Sequence, residues 1–274
     1  MKSVDMDFLR LSGKNIVLMG VANRRSVAWA VAEALKEAQA NPIFVFKDQE
    51  LLEKNRSLIG AAATALVCDV ESEADIASLR DAVAAKVPVV HGLVHSLAFA
   101  NFSEGIKPFH ATLKRDFLQA VDISCFSLLQ VSNQLKELFS PDASIVTMSI
   151  STTRMASENY GYMGPIKAAL DSSVVFLAKS LSQEVSPNIR VNAVGAGLLK
   201  TSSSAGIPGY IDAYFYAEKV IPRKQALATR EAGDVIAFLL SERSSGINAQ
   251  TVIVDAGLSI NYFDRELVRK ISIE

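Results

Sequence analysis

The sequence is poor in the residues that build disulfide frameworks and metal centres. It has 2 cysteines, 3 histidines and 1 tryptophan in 274 residues. Cys68 and Cys125 stand in apolar contexts without metal spacing, which reads as two buried thiols in a reducing compartment. His91 and His95 are four apart, a spacing that chelates metal only on a helix. Their surroundings, Val89-Val90-His91-Gly92-Leu93-Val94-His95, read as a strand, where that spacing separates them by roughly 13 Å. His110 stands alone, so no metal site is expected. Excess charge of one sign is also missing. The formal net charge is -1, which points to neither nucleic acid nor an anionic membrane as partner. No run reaches the roughly 18 apolar residues of a membrane span, and the opening MKSVDMDFLRLSGKN has no apolar targeting core. A cytoplasmic protein is expected.

What is present in quantity is apolar side chain, 50% of the total against 21% charged, enough for a sizeable core. Short apolar runs alternate with segments of helical period. Strands are expected at 15–19, 42–46, 65–68, 89–94, 144–149, 189–194 and 249–254. Helices are expected over 27–38, 49–58, 71–86, 113–138, 167–183 and 229–240, with a partly helical tail over 258–274. Seven strands in such alternation predict an α/β fold, a single doubly wound Rossmann-type domain over 1–274 with a seven-stranded parallel sheet.

In such sheets ligands lie beyond the carboxyl ends of the strands, where strand order reverses. Four strand ends carry signals. Gly20 to Ser26 is not a G-x-G-x-x-G turn, but Gly20, Ala22 and Ser26 are small enough for backbone to approach a pyrophosphate at a helix N-terminus, with Val27 opening that helix. Ser26 can donate to phosphate or cap the helix. After strand two, Lys47 would accept a 2′-phosphate and Asp48 a ribose hydroxyl, which leaves NADH and NADPH both open. Asp69, followed by Val70, can accept from an adenine amino group or cap the next helix. Ser96-Leu97-Ala98 is a small-residue turn suited to passing a ribose.

A phenol and an amine follow: Tyr160 stands seven residues before Lys167, in Asn159-Tyr160-Gly161-Tyr162-Met163-Gly164-Pro165-Ile166-Lys167. By itself such a pair reads first as a ring plugging a helix start and a solvated charge, and only the rest of the chain shifts that reading towards chemistry. Pro165 is tolerated only in a first helical turn, so the helix should begin no earlier than about Tyr162. Tyr162 lies about 140° round that helix from Lys167 and reads as a packing residue.

Taken together, GVANRRSVAWAVAEAL (20–35), CDV (68–70), VHSLAFA (94–100), DIS (122–124), YGYMGPIKAALDSSV (160–174), IRVNAVGAG (189–197), SAGI (204–207) and VDAGLSI (254–260) resemble the short-chain dehydrogenase/reductase superfamily, and within it the nicotinamide-dependent enoyl-acyl-carrier-protein reductases. Ordinary superfamily members put the tyrosine four residues before the lysine, where this chain has Met163. The resemblance implies an oxidoreductase of fatty acid biosynthesis that takes hydride from NADH or NADPH to the β-carbon of a trans-2-enoyl thioester on acyl-carrier protein or CoA. It implies Tyr160 as oxyanion donor and Lys167 as the cation on the nicotinamide ribose. Met148, Ala196, Gly197, Leu199 and Thr201 join the cofactor residues, and Ala100, Ile150, Ala205 and Ile207 join Tyr160 around the acyl group. Two positions depart from the pattern. Ile150 replaces a second tyrosine, beside which Ser149 could take over hydrogen bonding, and Gly197-Leu198-Leu199 replaces Gly-Pro-Ile. A carbonyl reductase or alcohol dehydrogenase of the same superfamily, or a non-catalytic dinucleotide binder, are the alternatives.

Residues 198–216, rich in Gly, Ser and Thr and then apolar and aromatic, look like a substrate lid walled by Ala205, Ile207, Tyr210, Tyr214 and Phe215, or like an interface loop. The helix after Lys167 is apolar nearly all round, with Ala168-Ala169-Leu170 and Val174-Val175-Phe176-Leu177. One face would need the core and another a partner or the rest of a monomer. The resemblance implies a homotetramer.

Overall fold

A computed structural model describes residues 7–156, 160–261 and 263–271. Seven strands, β1 (Asn15–Met19), β2 (Asn41–Phe46), β3 (Ala65–Val67), β4 (Val90–His95), β5 (Phe139–Ile150), β6 (Arg190–Ala196) and β7 (Thr251–Val254), form one sheet in the order β3-β2-β1-β4-β5-β6-β7. Every neighbouring pair is parallel. The order reverses between β1 and β4, so a crevice opens there at the strand carboxyl ends.

The strands are largely apolar because helices cover both faces of the sheet. Alternate residues feed two cores. Val17, Met19, Ile43, Val45 and Ile145 pack on one side. Ile16, Leu18, Phe44, Phe46 and Val146 pack on the other. Helices α1 (Val27–Glu37) and α9 (Thr229–Leu240) cover the second side, with α2 (Gln49–Ile59) near the edge. On the first side lie α3 (Glu73–Ala84), α4 (Lys114–Val121), α5 (Ser127–Leu135) and α6 (Met163–Glu184). Short α7 (Ser202–Ala205), α8 (Tyr210–Val220) and α10 (Arg265–Ile271) complete the helices. Helix α6 starts at Met163 with Pro165 in its first turn, where proline's missing N–H costs nothing.

The structure changes three expectations. The single helix over 113–138 is interrupted by a π-helical turn, Asp122–Phe126, and ends in a tight turn, Lys136–Leu138. A tertiary contact accompanies the break, Ser124 Oγ accepting from the Phe99 amide at 2.9 Å, and within the helix Ser127 Oγ donates back to the Ile123 carbonyl at 2.7 Å. Strand β5 starts five residues early, at Phe139, by pairing with Val90 across a register shift that accommodates Pro141. Asp69 does not cap α3. Ser72 does, accepting from the Asp75 amide at 3.2 Å, while Asp69 Oδ1 closes a local turn onto the Glu71 amide at 3.0 Å.

Candidate active site

At the sheet crevice, Gly20 is fixed by sterics. Its φ is +99°, and a Cβ there would lie 2.1 Å from the Ser96 carbonyl oxygen. The end of β1 can therefore run against the turn after β4 only as glycine. Ser26 caps α1, accepting from the Trp29 amide at 3.3 Å and donating to the Asn23 carbonyl at 2.7 Å. The α1 amides ahead of Trp29 have no acceptor inside the helix, and the helix N-terminus follows directly from the end of β1. Val27 is buried beneath them, and the Ala22 carbonyl is held by Asn55 of α2 at 3.2 Å.

At the end of β2 the charges divide their roles. Asp48 caps α2, accepting from the Leu51 amide at 2.7 Å. Lys47 reaches the opposite way, 3.4 Å from Asp69 and 3.0 Å from Glu71. Its pKa is raised, chiefly by the Glu71 hydrogen bond. The end of β2 thus presents a cation balanced by two carboxylates, with Val70 buried.

Lys167 lies in the second turn of α6 at 3% exposure. Its ammonium donates to the Met148 carbonyl of β5 at 2.7 Å and to the Leu97 carbonyl beyond β4 at 3.3 Å. Burial lowers its pKa to about 8, against smaller raising contributions from Cys125 and Asp171. Tyr160 is half-buried on the turn before α6 and packs on the α6-side core. Burial, and secondarily the neighbouring Tyr210, push its pKa up, so the phenol keeps its proton at neutral pH. Among the described residues no hydrogen-bond partner occupies its hydroxyl. Tyr162 is a packing residue: its ring lies against Phe102 and Phe117, and its hydroxyl accepts from the Asn101 amide at 2.8 Å. Met163 is buried. Asn159, at the head of the motif, lies outside the described residues.

Ile150 closes β5 beside Ala196 of β6. Ser149 is buried with no partner on its hydroxyl among the described residues. Gly197 is required by contact, since a Cβ there would meet Asp255 Cβ at 2.9 Å. Leu199 stands near the start of the 198–216 segment. Its amide donates to the Tyr210 hydroxyl at 2.8 Å, and its carbonyl accepts from Tyr210 at 2.9 Å and from Ser204 at 2.8 Å. Thr201 and Ser204 cap α7 reciprocally. Ser202 is tied to Asn23 of the β1–α1 turn at 2.8 Å. Ala100 and Ile207 are half-buried, and Ala205 is exposed.

The expected apolar wall is only partly assembled. Tyr210 acts as a polar clip beside Tyr160 rather than a hydrocarbon surface. Phe215 faces a separate cavity of about 530 Å³ shared with Leu267 of α10. Tyr214 packs edge-on to Phe215 and under Lys200. The Asn23–Ser202 tie and the contacts of the wholly buried His95 have no signal in the sequence, because they pair positions that only the tertiary fold brings together. Among the described residues no group of three or more His, Cys, Asp or Glu could hold a metal ion.

Residues 20–259 match the family described as enoyl-(acyl carrier protein) reductase. The chain belongs to this family. The NADH-dependent enoyl-acyl-carrier-protein reductase of Bacillus subtilis is 37% identical over 91% of this chain and 97% of its own length. The NADPH-dependent enzyme of Staphylococcus aureus strain MRSA252 is 34% identical over 91% and 98%. Among solved structures, the Bacillus cereus reductase with NADP+ and indole naphthyridinone superposes with a TM-score of 0.87 at 33% identity, covering 92% of this chain and 99% of that one. This reductase therefore shares the seven-stranded parallel sheet and the cofactor class, NADH or NADPH, of its relatives. Its crevice fits that class: a helix N-terminus for phosphates, a cation at the adenosine end and a buried ammonium at the strand ends.

Proposed function

We propose that this enoyl-acyl-carrier-protein reductase reduces the double bond of a trans-2-enoyl thioester in fatty acid synthesis, with Tyr160 and Lys167 as its working pair. The observation that carries the assignment is the Lys167 ammonium, buried and seated on two strand-end carbonyls at the sheet crevice, just after a protonated phenol. When bound, NADH or NADPH supplies the hydride. Gly20, Ala22, Ser26 and Val27 would hold its pyrophosphate. Lys47, Asp69 and Val70 would hold the adenosine, and Ser96, Leu97, Ala98, Met148, Ala196, Gly197, Leu199 and Thr201 would line the nicotinamide end.

Tyr160 holds a proton at its hydroxyl, ready to bond the thioester oxygen as negative charge develops there. A donor so placed contributes roughly 3–4 kcal/mol to the transition state. Lys167 orients ribose hydroxyls and adds positive potential in a dry site. Ala100, Ile150, Ala205 and Ile207 enclose the acyl chain, and residues 198–216 form the lid, excluding water once closed. With Ile150 in place of a phenol, Tyr160 is the sole phenolic donor of the assigned pair.

Exposed Val175 and Phe176 on α6, with Leu118 and Phe126 nearby on the same side, give the apolar face for a homotetramer. Among the described residues no helix is long and apolar enough to cross a membrane, and both cysteines are free and buried. The cytoplasm is the proposed compartment. The test follows reduced-nicotinamide absorbance with crotonyl-CoA, trans-2-enoyl acyl-carrier protein and simple ketones. Oxidation with the enoyl thioesters alone is expected. Tight cofactor binding without turnover of any enoyl thioester would overturn the assignment.

A further inference from the structure

His95, the last residue of β4, is completely buried and has no part in the reduction itself. Both ring nitrogens meet hydroxyls: Nδ1 lies 3.0 Å from Thr147 Oγ1 on β5, and Nε2 lies 2.8 Å from Ser127 Oγ at the start of α5. Each hydroxyl has a second contact, Thr147 with the His95 carbonyl at 3.0 Å and Ser127 with the Ile123 carbonyl at 2.7 Å. The result is a chain of four contacts, each of which needs one proton. The hydroxyls bring two protons, a neutral imidazole one and an imidazolium two. Burial first, and then the nearby Lys167 charge, lower the His95 pKa to about 3. The ring is therefore neutral at neutral pH and the chain is one proton short. With Nε2 protonated, Thr147 must turn its proton to the ring and release the His95 carbonyl. With Nδ1 protonated, Ser127 must release the Ile123 carbonyl.

A hydrocarbon side chain would fill this space without such a shortage. What the ring does is join three elements. His95 and Thr147 are direct partners across β4 and β5. One residue beyond Thr147 and two beyond His95 are the Met148 and Leu97 carbonyls that hold the ammonium. Ile123 and Ser127 bracket the π turn that carries Cys125 beside Lys167. We propose that His95 is a positioning residue for Lys167: by bracing the ends of β4 and β5 against α5, its ring sets the two carbonyls on which the ammonium is seated. The proposal rests on the reading of Lys167 as the cation that holds the cofactor. The charged or titratable groups facing Lys167 are His95 from β4, Cys125 from the π turn and Asp171 on α6 itself.

The experiment measures NADH and NADPH dissociation constants of the full-length protein across neutral to alkaline pH, with thermal unfolding alongside. In the parent protein, affinity falls as pH rises through the Lys167 titration at about 8. His95→Leu is expected to weaken both nucleotides by about tenfold, the scale of a displaced binding group. It also moves the alkaline fall to lower pH, because the ammonium loses well-placed acceptors. His95→Gln, which reaches Ser127, or His95→Asn, which reaches Thr147, recovers part of the affinity. A lower unfolding temperature with unchanged affinity and pH profile would make His95 a core filler and overturn the proposal. Weak binding that neither Gln nor Asn improves would assign the loss to ring volume and overturn it equally. If His95→Leu does not fold, Thr147→Val decides, and a parent-like pH profile there also overturns it. Lys167→Met separates the underlying reading: parent-like nucleotide affinity in that variant would remove Lys167 from the cofactor site, whatever His95 does.

Discussion

Burying Lys167 while keeping it charged works against folding. A pKa of about 8 in place of 10.5 corresponds to about 3 kcal/mol favouring the unfolded state below pH 8. The unfolded chain holds the extra proton between pH 8 and 10.5, so this penalty is relieved as pH rises across that window. Lys167→Met is therefore expected to raise the stability of the cofactor-free protein by about 1 kcal/mol in denaturant titrations, while abolishing enoyl reduction. Part of the gain is lost because the Leu97 and Met148 carbonyls are left without a donor. For Tyr160, the hydroxyl is the proposed working atom. Tyr160→Phe should lower kcat by at least about 100-fold in steady-state assays, with an unchanged far-UV spectrum. Gly20→Ala places a Cβ against the Ser96 carbonyl at a positive φ, and should cost more than about 2 kcal/mol in chemical denaturation.

Among the elements, the 198–216 segment, proposed as the lid, is tied to the β1–α1 turn. Helix α7 contacts Asn23 through Ser202, and α8 is clipped to Leu199 through Tyr210. Up to Tyr216 most side chains of this segment are exposed or half-buried, with α8 anchored at its far end by Ala217 and Val220, so local opening of the earlier part should be cheap. Ser202→Ala is expected to speed proteolysis within 198–216 in the absence of cofactor by about two- to fivefold, the equivalent of a hydrogen bond worth about 0.5–1 kcal/mol. Saturating NADH or NADPH should protect both forms. An equal cleavage rate in the variant would show that the tie does not hold the lid. The boundaries of α1, α6 and α9 were legible in the sequence because capping residues and Pro165 mark them locally. The break in the 113–138 helix was not, since the contact that accompanies it joins Ser124 to the Phe99 backbone, 25 residues away.

For the molecule as a whole, surface and pH supply the tests. Phe176 is 75% exposed on α6. Phe176→Lys should shift the assembly to smaller species in sedimentation experiments while keeping the fold, if this face carries the tetramer contact. Acid stability involves His95. With a pKa lowered from 6.5 to about 3, the folded state refuses a proton that the unfolded chain accepts. Stability is then unaffected above pH 6.5 and lost progressively as pH falls from 6.5 towards 3. A His95→Gln variant should show a shallower loss over that interval than the parent.

Local pattern was enough to specify the parallel seven-stranded α/β architecture, because strands buried on both faces must be continuously apolar and their helices amphipathic. The resemblance its motifs support carried the cofactor class and the proposal of Tyr160 and Lys167 as a pair. How those groups are used was settled by long-range packing. Lys47 was paired with carboxylates from another strand end, and His95 came to lie near the Lys167 ammonium. The first depends on β3 lying beside β2, and the second on β5 lying beside β4. Distances of that kind are set by packing between segments far apart in the chain, and no local pattern encodes them.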